Sequence, residues 1–133
     1  MVNDEFIGAG WAFPLRTDAT GRIALVVRER EIEESIRLIL GTAYGERPMR
    51  PEFGCGIHDE IFARADAATF GRIESDVRAS LRRWEPRIAV EDVDVAPDPD
   101  DPTTLYIDIR YTIGSSNDPR NLVFPFYVIP AED

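Results

Sequence analysis

The segment GERPMRPEFGCG, residues 45–56, decides how this chain folds, because it suits neither a helix nor a strand. Pro48 and Pro51 fix their own backbone φ angles and push the preceding arginines toward extended geometry. The three glycines of the segment permit positive φ angles or close approach of the backbone. This composition predicts a rigid, shaped loop between two helices.

The charges of this loop have two interpretations. Glu46, Arg47, Arg50 and Glu52 form a tight run of opposite signs. The loop is either an ordered connector held by local ion pairs or a direct part of an interface. We expect Arg47 and Arg50 to pair with acidic groups such as Glu46 or Glu52, which makes the loop a brace between the helices.

The chain before the loop is expected to contribute an arm, a strand and a helix. Residues 1–21 mix aromatic residues with turn formers and are interpreted as an N-terminal arm. Ile23–Val27 is a short β-rich run after a turn signal, and it is predicted to be a strand. From Glu29 to about Ala43 the apolar residues recur with helical spacing, so this segment is predicted to be a helix with one buried face.

The chain after the loop is predicted to contain a short helical turn and a long helix. Ile57, Ile61 and Phe62 indicate the turn. Asp66 is a suitable N-cap for the long helix, which is expected to end at Trp84 before Pro86. The buried stripe of this helix is predicted to comprise Phe70, Ile73, Val77, Leu81 and Trp84.

Three more strands are predicted in the last third of the chain. Ile88–Val95 is β-rich, but its apolar phase slips between Val90 and Val93, which indicates a bulge or a strand buried on different faces along its length. Leu105–Ile113 alternates apolar and polar residues, as a half-buried strand does. Asn121–Ile129 is apolar on both faces and contains Pro125, which indicates an edge strand or a bulge. The expected architecture is a single α+β domain over residues 1–133, with two main helices packed on a mainly antiparallel sheet of about four strands.

The edge strand predicted around Pro125 also has two interpretations. An edge that is apolar on both faces invites pairing with another chain. The N-terminal arm could cover this strand within the domain. Alternatively, a partner could extend the sheet through main-chain hydrogen bonds.

Composition limits the classes of partner. The 133 residues carry 25 acidic and 15 basic side chains, for a net charge of -10, which disfavours binding to nucleic acid or to anionic lipid. All the basic side chains are arginine, the cation best suited to bidentate pairing at protein interfaces. A single cysteine excludes an intrachain disulfide, and no apolar run reaches the ~20 residues that span a bilayer. We therefore expect a cytoplasmic place of assembly.

No set of residues in the sequence meets the requirements of a catalytic site or a metal site. Cys55 and His58 lie three residues apart, but two residues do not supply the ligands of a zinc site or the geometry of a nucleophile with its base. Paired carboxylates for glycoside hydrolysis could come from Glu46, Glu52, Asp59 or Glu60. Such pairs arise by chance in an acidic protein, so the expectation is no enzyme, no cofactor and no metal. A peptidoglycan-cleaving glycosidase remains the alternative.

Together, four motifs in this order resemble the baseplate wedge and sheath-initiator family of contractile injection machines. The motifs are GWAFPL (residues 10–15), the loop at residues 45–56, the triplet Glu85-Pro86-Arg87 and NLVFPF (residues 121–126). The family includes a small baseplate protein of contractile phage tails, the TssE component of type VI secretion and counterparts in extracellular injection systems. The resemblance covers nearly the whole chain.

The resemblance implies a structural protein of a phage tail-like particle, present in several copies in a six-fold assembly. Glu85, Pro86 and Arg87 would bind the helical core bundle of the baseplate wedge. The first sheath ring would be templated by strand exchange with the sheet. Its contact edge would be formed by residues of the last strand, namely Leu122, Val123, Phe124, Phe126 and Val128.

Overall fold

The computed structural model describes residues 17–114 and 119–129. It contains helix α1 (Thr17–Gly41), a short 3-10 helix (Gly56–Glu60), helix α2 (Ala67–Trp84) and three strands. The strands are β1 (Ile88–Pro97), β2 (Thr104–Ile113) and β3 (Pro119–Tyr127). They form one antiparallel sheet in the order β1-β2-β3. The predicted α+β fold is confirmed, with three strands where about four were expected.

The chain divides into two compact units, residues 1–32 and 33–133. In the first unit the described residues, 17–32, are helical. The predicted strand Ile23–Val27 is therefore wrong, and so is the turn expected just before it. No proline separates this run from the glutamate-rich segment that follows. Extending an existing helix costs less than starting a new element, so α1 continues through the β-branched residues. The remainder of the predicted arm, residues 1–16, lies outside the described residues.

In the second unit, α2 begins and ends where its sequence predicts. The Asp66 carboxylate accepts a hydrogen bond from the backbone N–H of Thr69 at 2.9 Å, which satisfies one of the free amides at the helix start. Ile73, Val77 and Leu81 are fully buried, whereas Phe70 and Trp84 are half-buried. The helix packs against β1.

The sheet has a bulge in β1, one of the two possibilities that its sequence pattern indicates. The β1–β2 register shifts between Val90 and Asp92. In β2, the alternate residues Leu105, Ile107 and Ile109 are buried. The phase slip in β1 therefore marks a true bulge, and β2 supplies the centre of the core.

Candidate interaction site

The loop from Thr42 to Cys55 closes on the end of α1 through main-chain contacts. The N–H of Cys55 donates to the carbonyl oxygen of Thr42 at 2.9 Å, and that of Gly45 donates to the carbonyl of Pro51 at 2.6 Å. Gly54 has a φ of 128°, and a Cβ atom there would lie 2.3 Å from the carbonyl oxygen of Thr42. Only glycine fits at this position, so the backbone itself sets the path of the loop.

The same loop packs on the last residue of α2 through aromatic and cationic side chains. The rings of Phe53 and Trp84 meet edge to face with centroids 5.0 Å apart. The guanidinium of Arg47 lies 4.7 Å from the Phe53 ring centroid, and that of Arg50 lies 5.6 Å from the Trp84 centroid. Arg83 covers Trp84 at 4.7 Å. The loop therefore braces the helix end, with Trp84 at the centre of the contact.

The chemistry of this brace differs from the prediction. In the parts of the chain that the structure describes, neither Arg47 nor Arg50 lies within salt-bridge distance of a carboxylate. Glu46 instead accepts a hydrogen bond from the N–H of Ala43 at 2.9 Å, and Glu52 is exposed. The expected ion pairs are wrong because Phe53 and Trp84 offer ring faces, which attract guanidinium groups.

The triplet Glu85-Pro86-Arg87 forms a bidentate ion pair at the corner between α2 and β1. The Nε and Nη2 atoms of Arg87 lie 2.7 Å and 2.8 Å from the two carboxylate oxygens of Glu85. The side chain of Glu85 is only 2% exposed, whereas that of Arg87 is 46% exposed. The carbonyl of Arg87 accepts a hydrogen bond from the N–H of Gly114 at 2.8 Å, which ties the corner to the end of β2.

Electrostatics explain how a buried carboxylate stays charged at this corner. Burial alone would raise the pKa of Glu85, because a charged group loses its hydration. Hydrogen bonds from Arg87 and from Ser35 oppose this effect and hold the pKa of Glu85 below its usual value. The ion pair therefore fixes the Arg87 guanidinium on a proline corner, with half of its surface exposed.

Among the residues that the structure describes, strand β3 is an edge of the sheet, as Pro125 predicts. The N–H of Val128 donates to the carbonyl of Thr103 at 2.8 Å, which sets the phase of the pairing between β2 and β3. Main-chain groups of successive residues point to opposite sides of a strand, so those of Val123, Pro125 and Tyr127 point away from β2. Proline is tolerated at residue 125 because the N–H that it lacks would have faced outward.

The side chains of β3 divide between the two faces of the sheet. Leu122, Phe126 and Val128 are buried, and Phe124 is half-buried opposite Ile107. On the other face, Val123 is 41% exposed and Tyr127 is 64% exposed. Of the predicted contact residues, Val123 therefore presents the most exposed side chain. The side chains of the others lie on the inner face of the sheet, so these residues are part of the edge strand without presenting side chains at its outer face.

The remaining candidate residues have contacts within the fold. Burial raises the pKa of the Cys55 thiol, which disfavours the reactive thiolate. The Nε2 atom of His58 lies 2.8 Å from the carbonyl oxygen of Leu40, and its ring meets Phe126 edge to face. Glu60 pairs with Arg72 at 3.1 Å, and Asp59 is exposed. In residues 17–114 and 119–129, no three metal-ligating side chains form a group.

Sequence reasoning missed the centre of this site. It assigned Trp84 to a buried stripe and did not anticipate that Phe53, Arg50 and Arg83 would meet on its ring. The available signal was an aromatic residue inside a loop that also carries arginines.

None of the helices described is both long and apolar enough to cross a bilayer.

Comparison with known proteins identifies the family. Residues 26–118 match the family described as "Baseplate wedge protein gp25". The chain belongs to this baseplate wedge family. The baseplate wedge protein gp25 of Enterobacteria phage T4 is 37% identical over 84 residues. That match spans 63% of this chain and 63% of the phage protein, so it covers less than two thirds of that relative.

Three solved structures have the same fold as this chain. A tail-lysozyme candidate from Geobacter sulfurreducens is 50% identical, with a TM-score of 0.72, and the match covers 77% of this chain and 92% of that one. A chain of the anti-feeding prophage baseplate is 31% identical, with a TM-score of 0.60 over 66% of this chain and 70% of that one. A chain of the type VI secretion baseplate complex shares the fold at 17% identity, with a TM-score of 0.60 over 85% of this chain and 99% of that one.

The family match covers two of the four motifs of this chain. The matched region, residues 26–118, contains the braced loop and the Glu85-Pro86-Arg87 corner. It ends just before the described part of β3. The corner therefore lies inside the family region, whereas the last strand continues beyond it.

Proposed function

We propose that this chain is a non-catalytic structural component that joins the baseplate wedge of a contractile tail or injection system to its first sheath ring. The observation that carries the proposal is the ion pair between Glu85 and Arg87 at the end of α2. A buried carboxylate holds a half-exposed guanidinium in one orientation, and preorganised groups bind with less loss of entropy. Pro86 and Arg87 are exposed and would contact the core bundle, while Glu85 would act through Arg87.

The second contact of this proposal is the outer edge of β3. An added strand would bond to the outward main-chain groups of Val123, Pro125 and Tyr127. The exposed side chains of Val123 and Tyr127 would flank it. The solved anti-feeding prophage baseplate is six-fold symmetrised, and we carry that symmetry to the assembly of this chain. Assembly would take place in the cytoplasm, without nucleic acid, membrane or cofactor.

The wedge contact is tested by Arg87→Lys. Lysine keeps a cation beside Glu85, so the fold is retained, but it lacks the planar fork of arginine. Tail particles would be purified from a producing host and imaged by electron microscopy, with Arg64→Lys as the matched control at another exposed site. We expect baseplates to fail to assemble only with Arg87→Lys. Normal particles carrying this variant would refute the wedge assignment.

The sheath contact is tested by Val123→Pro. This change removes an outward N–H from β3 but leaves the hydrogen bonds to β2 in place, as Pro125 already does. We expect baseplates that lack a sheath, with a circular dichroism spectrum of the isolated protein close to wild type. Sheathed particles from a folded Val123→Pro variant would remove the β3 edge from the interface.

A cell-wall hydrolase is the second candidate, because the 50% identical relative is a tail-lysozyme candidate. Glu46, Glu52, Asp59 and Glu60 are its available carboxylates, and Glu46 and Glu60 already bind Ala43 and Arg72. A turbidity assay on purified peptidoglycan decides between the two functions. Activity that disappears in Glu46→Gln or Glu52→Gln would overturn the structural proposal, and we expect no activity above buffer.

A further inference from the structure

Four exposed arginines surround the C-terminal end of α2. We call Arg47, Arg50, Arg82 and Arg83 the arginine patch. The rings of Phe53 and Trp84 hold three of them, with guanidinium-to-centroid distances of 4.7, 5.6 and 4.7 Å. Stacking on a ring restricts a side chain that would otherwise sample many rotamers. The patch therefore presents its charge with part of the ordering cost already met.

The arginine patch is a local excess of positive charge on a chain whose net charge is -10. In the described parts of the chain, none of its four members lies within salt-bridge distance of a carboxylate. Arg82 and Arg83 lie in the last turn of α2, where the helix dipole favours cations. The dipole does not account for Arg47 and Arg50, which belong to the loop. These two arginines extend the positive surface beyond what the helix requires.

Apolar surface adjoins these charges. Met49 lies between Arg47 and Arg50 in the loop and is 93% exposed. On the other side, Arg82 lines a cleft of about 250 Å3 between α2 and β1. The other residues that line this cleft are Arg78, Leu81, Ile88, Ala89 and Val90. A partner that fits this surface combines carboxylates with apolar side chains.

We propose that the arginine patch docks an acidic segment of a neighbouring protein in the baseplate. This inference rests on the proposed function, because it takes the chain to work within such an assembly. Arginine binds carboxylates bidentately, so a segment rich in aspartate or glutamate matches the patch. The overall negative charge repels long polyanions, which favours a protein segment over nucleic acid or an anionic membrane.

The proposal is tested with a short, labelled poly-L-glutamate peptide as the probe, titrated against the full chain and followed by fluorescence anisotropy at low salt. The patch variant is Arg47→Glu/Arg50→Glu/Arg82→Glu. The matched control, Arg30→Glu/Arg37→Glu/Arg64→Glu, changes the net charge equally at three exposed positions outside the patch. Because Arg47 and Arg50 contact rings, Arg82→Glu alone serves as a second variant that leaves the stacking intact.

We expect the patch variant to bind poly-L-glutamate at least about tenfold more weakly than wild type does. The control triple variant should bind poly-L-glutamate clearly more tightly than the patch variant does. Arg82→Glu should show part of the loss, with a slightly lower melting temperature because an acidic side chain opposes the helix dipole in the last turn of α2. Equal binding by the patch variant and the control would overturn the proposal. So would tighter binding of wild type to a duplex DNA oligonucleotide or to phosphatidylserine vesicles than to poly-L-glutamate.

Particle assembly separates this inference from the proposed function. Both triple variants keep Glu85, Pro86 and Arg87, so the corner that carries the proposed function is unchanged. We expect the patch variant to yield fewer assembled baseplates than the control triple variant. If the patch variant assembles normally while Arg87→Lys does not, the patch proposal fails and the proposed function stands. If neither change affects assembly, both fail.

Discussion

Glu85 is the residue on which the corner depends most, because its carboxylate is buried and charged. Its lowered pKa makes the corner sensitive to pH in one direction. A carboxylate with a depressed folded-state pKa stabilises the fold above its unfolded pKa, and this contribution is lost as pH falls through the folded value. The pH range in which this stability is lost lies below 4.5, the ordinary pKa of glutamate. Acid should therefore loosen the corner while neutral pH holds it.

Arg87→Ala tests this dependence directly. Removing the guanidinium leaves a buried carboxylate without its ionic partner, which costs about 3 kcal/mol of unfolding free energy at neutral pH. Burial then dominates, so the pKa of Glu85 should rise and the cost should shrink at acidic pH. Urea unfolding of wild type and variant at pH values from about 4 to about 8 measures the effect. The double variant Glu85→Gln/Arg87→Ala should recover part of the loss; a cost independent of pH would contradict this account.

Gly54 is the second residue with a specific backbone role. Gly54→Ala places a Cβ atom against the carbonyl of Thr42 at a φ that L-residues rarely adopt. We expect the unfolding free energy to fall by about 2 kcal/mol or more. Gly71→Ala is the control, because it lies in α2 with open space around it and should stabilise by about 0.5–1 kcal/mol. Thermal melts of both variants test the contrast, and equal melting temperatures would rule it out.

At the scale of elements, the two faces of β3 should respond differently to substitution. Phe126→Ala removes a buried ring and should cost about 3–5 kcal/mol. Val123→Ala changes an exposed side chain and should stay within about 0.5 kcal/mol of wild type. Denaturant unfolding of both variants measures the difference. A large cost at Val123 would mean that this face is covered in solution.

Elements with a clear period or a cap were predictable from the sequence. Asp66 located the start of α2, and strict alternation located β2. Ile23–Val27 was not predictable from its own residues, because the helix that follows determines its conformation. The ring contact of Arg50 depends on Trp84, more than thirty residues later in the chain, whereas Arg47 stacks on Phe53 in its own loop. From the neighbouring charges alone, Glu46 and Glu52 were therefore the expected partners of these arginines.

At the scale of the whole molecule, charge is distributed unevenly. The arginine patch lies at the corner where β1 begins, whereas Asp98, Asp100 and Asp101 occupy the turn that joins the far ends of β1 and β2. Strands of 10 residues separate the two regions by roughly 30 Å. Such an arrangement would orient the protein in the electric field of a charged partner before any contact forms.

Salt should therefore act on stability and on binding with opposite signs. The net charge of -10 opposes the compact state, and its exposed ion pairs contribute little, so screening should raise the melting temperature. The same screening should weaken binding of poly-L-glutamate, because the Debye length falls to about 3 Å at 1 M salt. Circular dichroism melts and anisotropy titrations in sodium chloride measure the two trends. A melting temperature that falls with added salt would contradict the repulsion argument.

Pro125 has a consequence for the alignment of any strand that joins the β3 edge. It provides an outward carbonyl oxygen but no N–H, so the donors along this edge are interrupted at one position. A joining strand can shift only in steps of two residues without turning its side chains to the other face. Each alignment places a different carbonyl opposite the gap. The carbonyl of the joining strand that lies opposite Pro125 has no donor, so the alignment in which this carbonyl can bond to water has the lowest free energy. A single proline therefore selects one register among several.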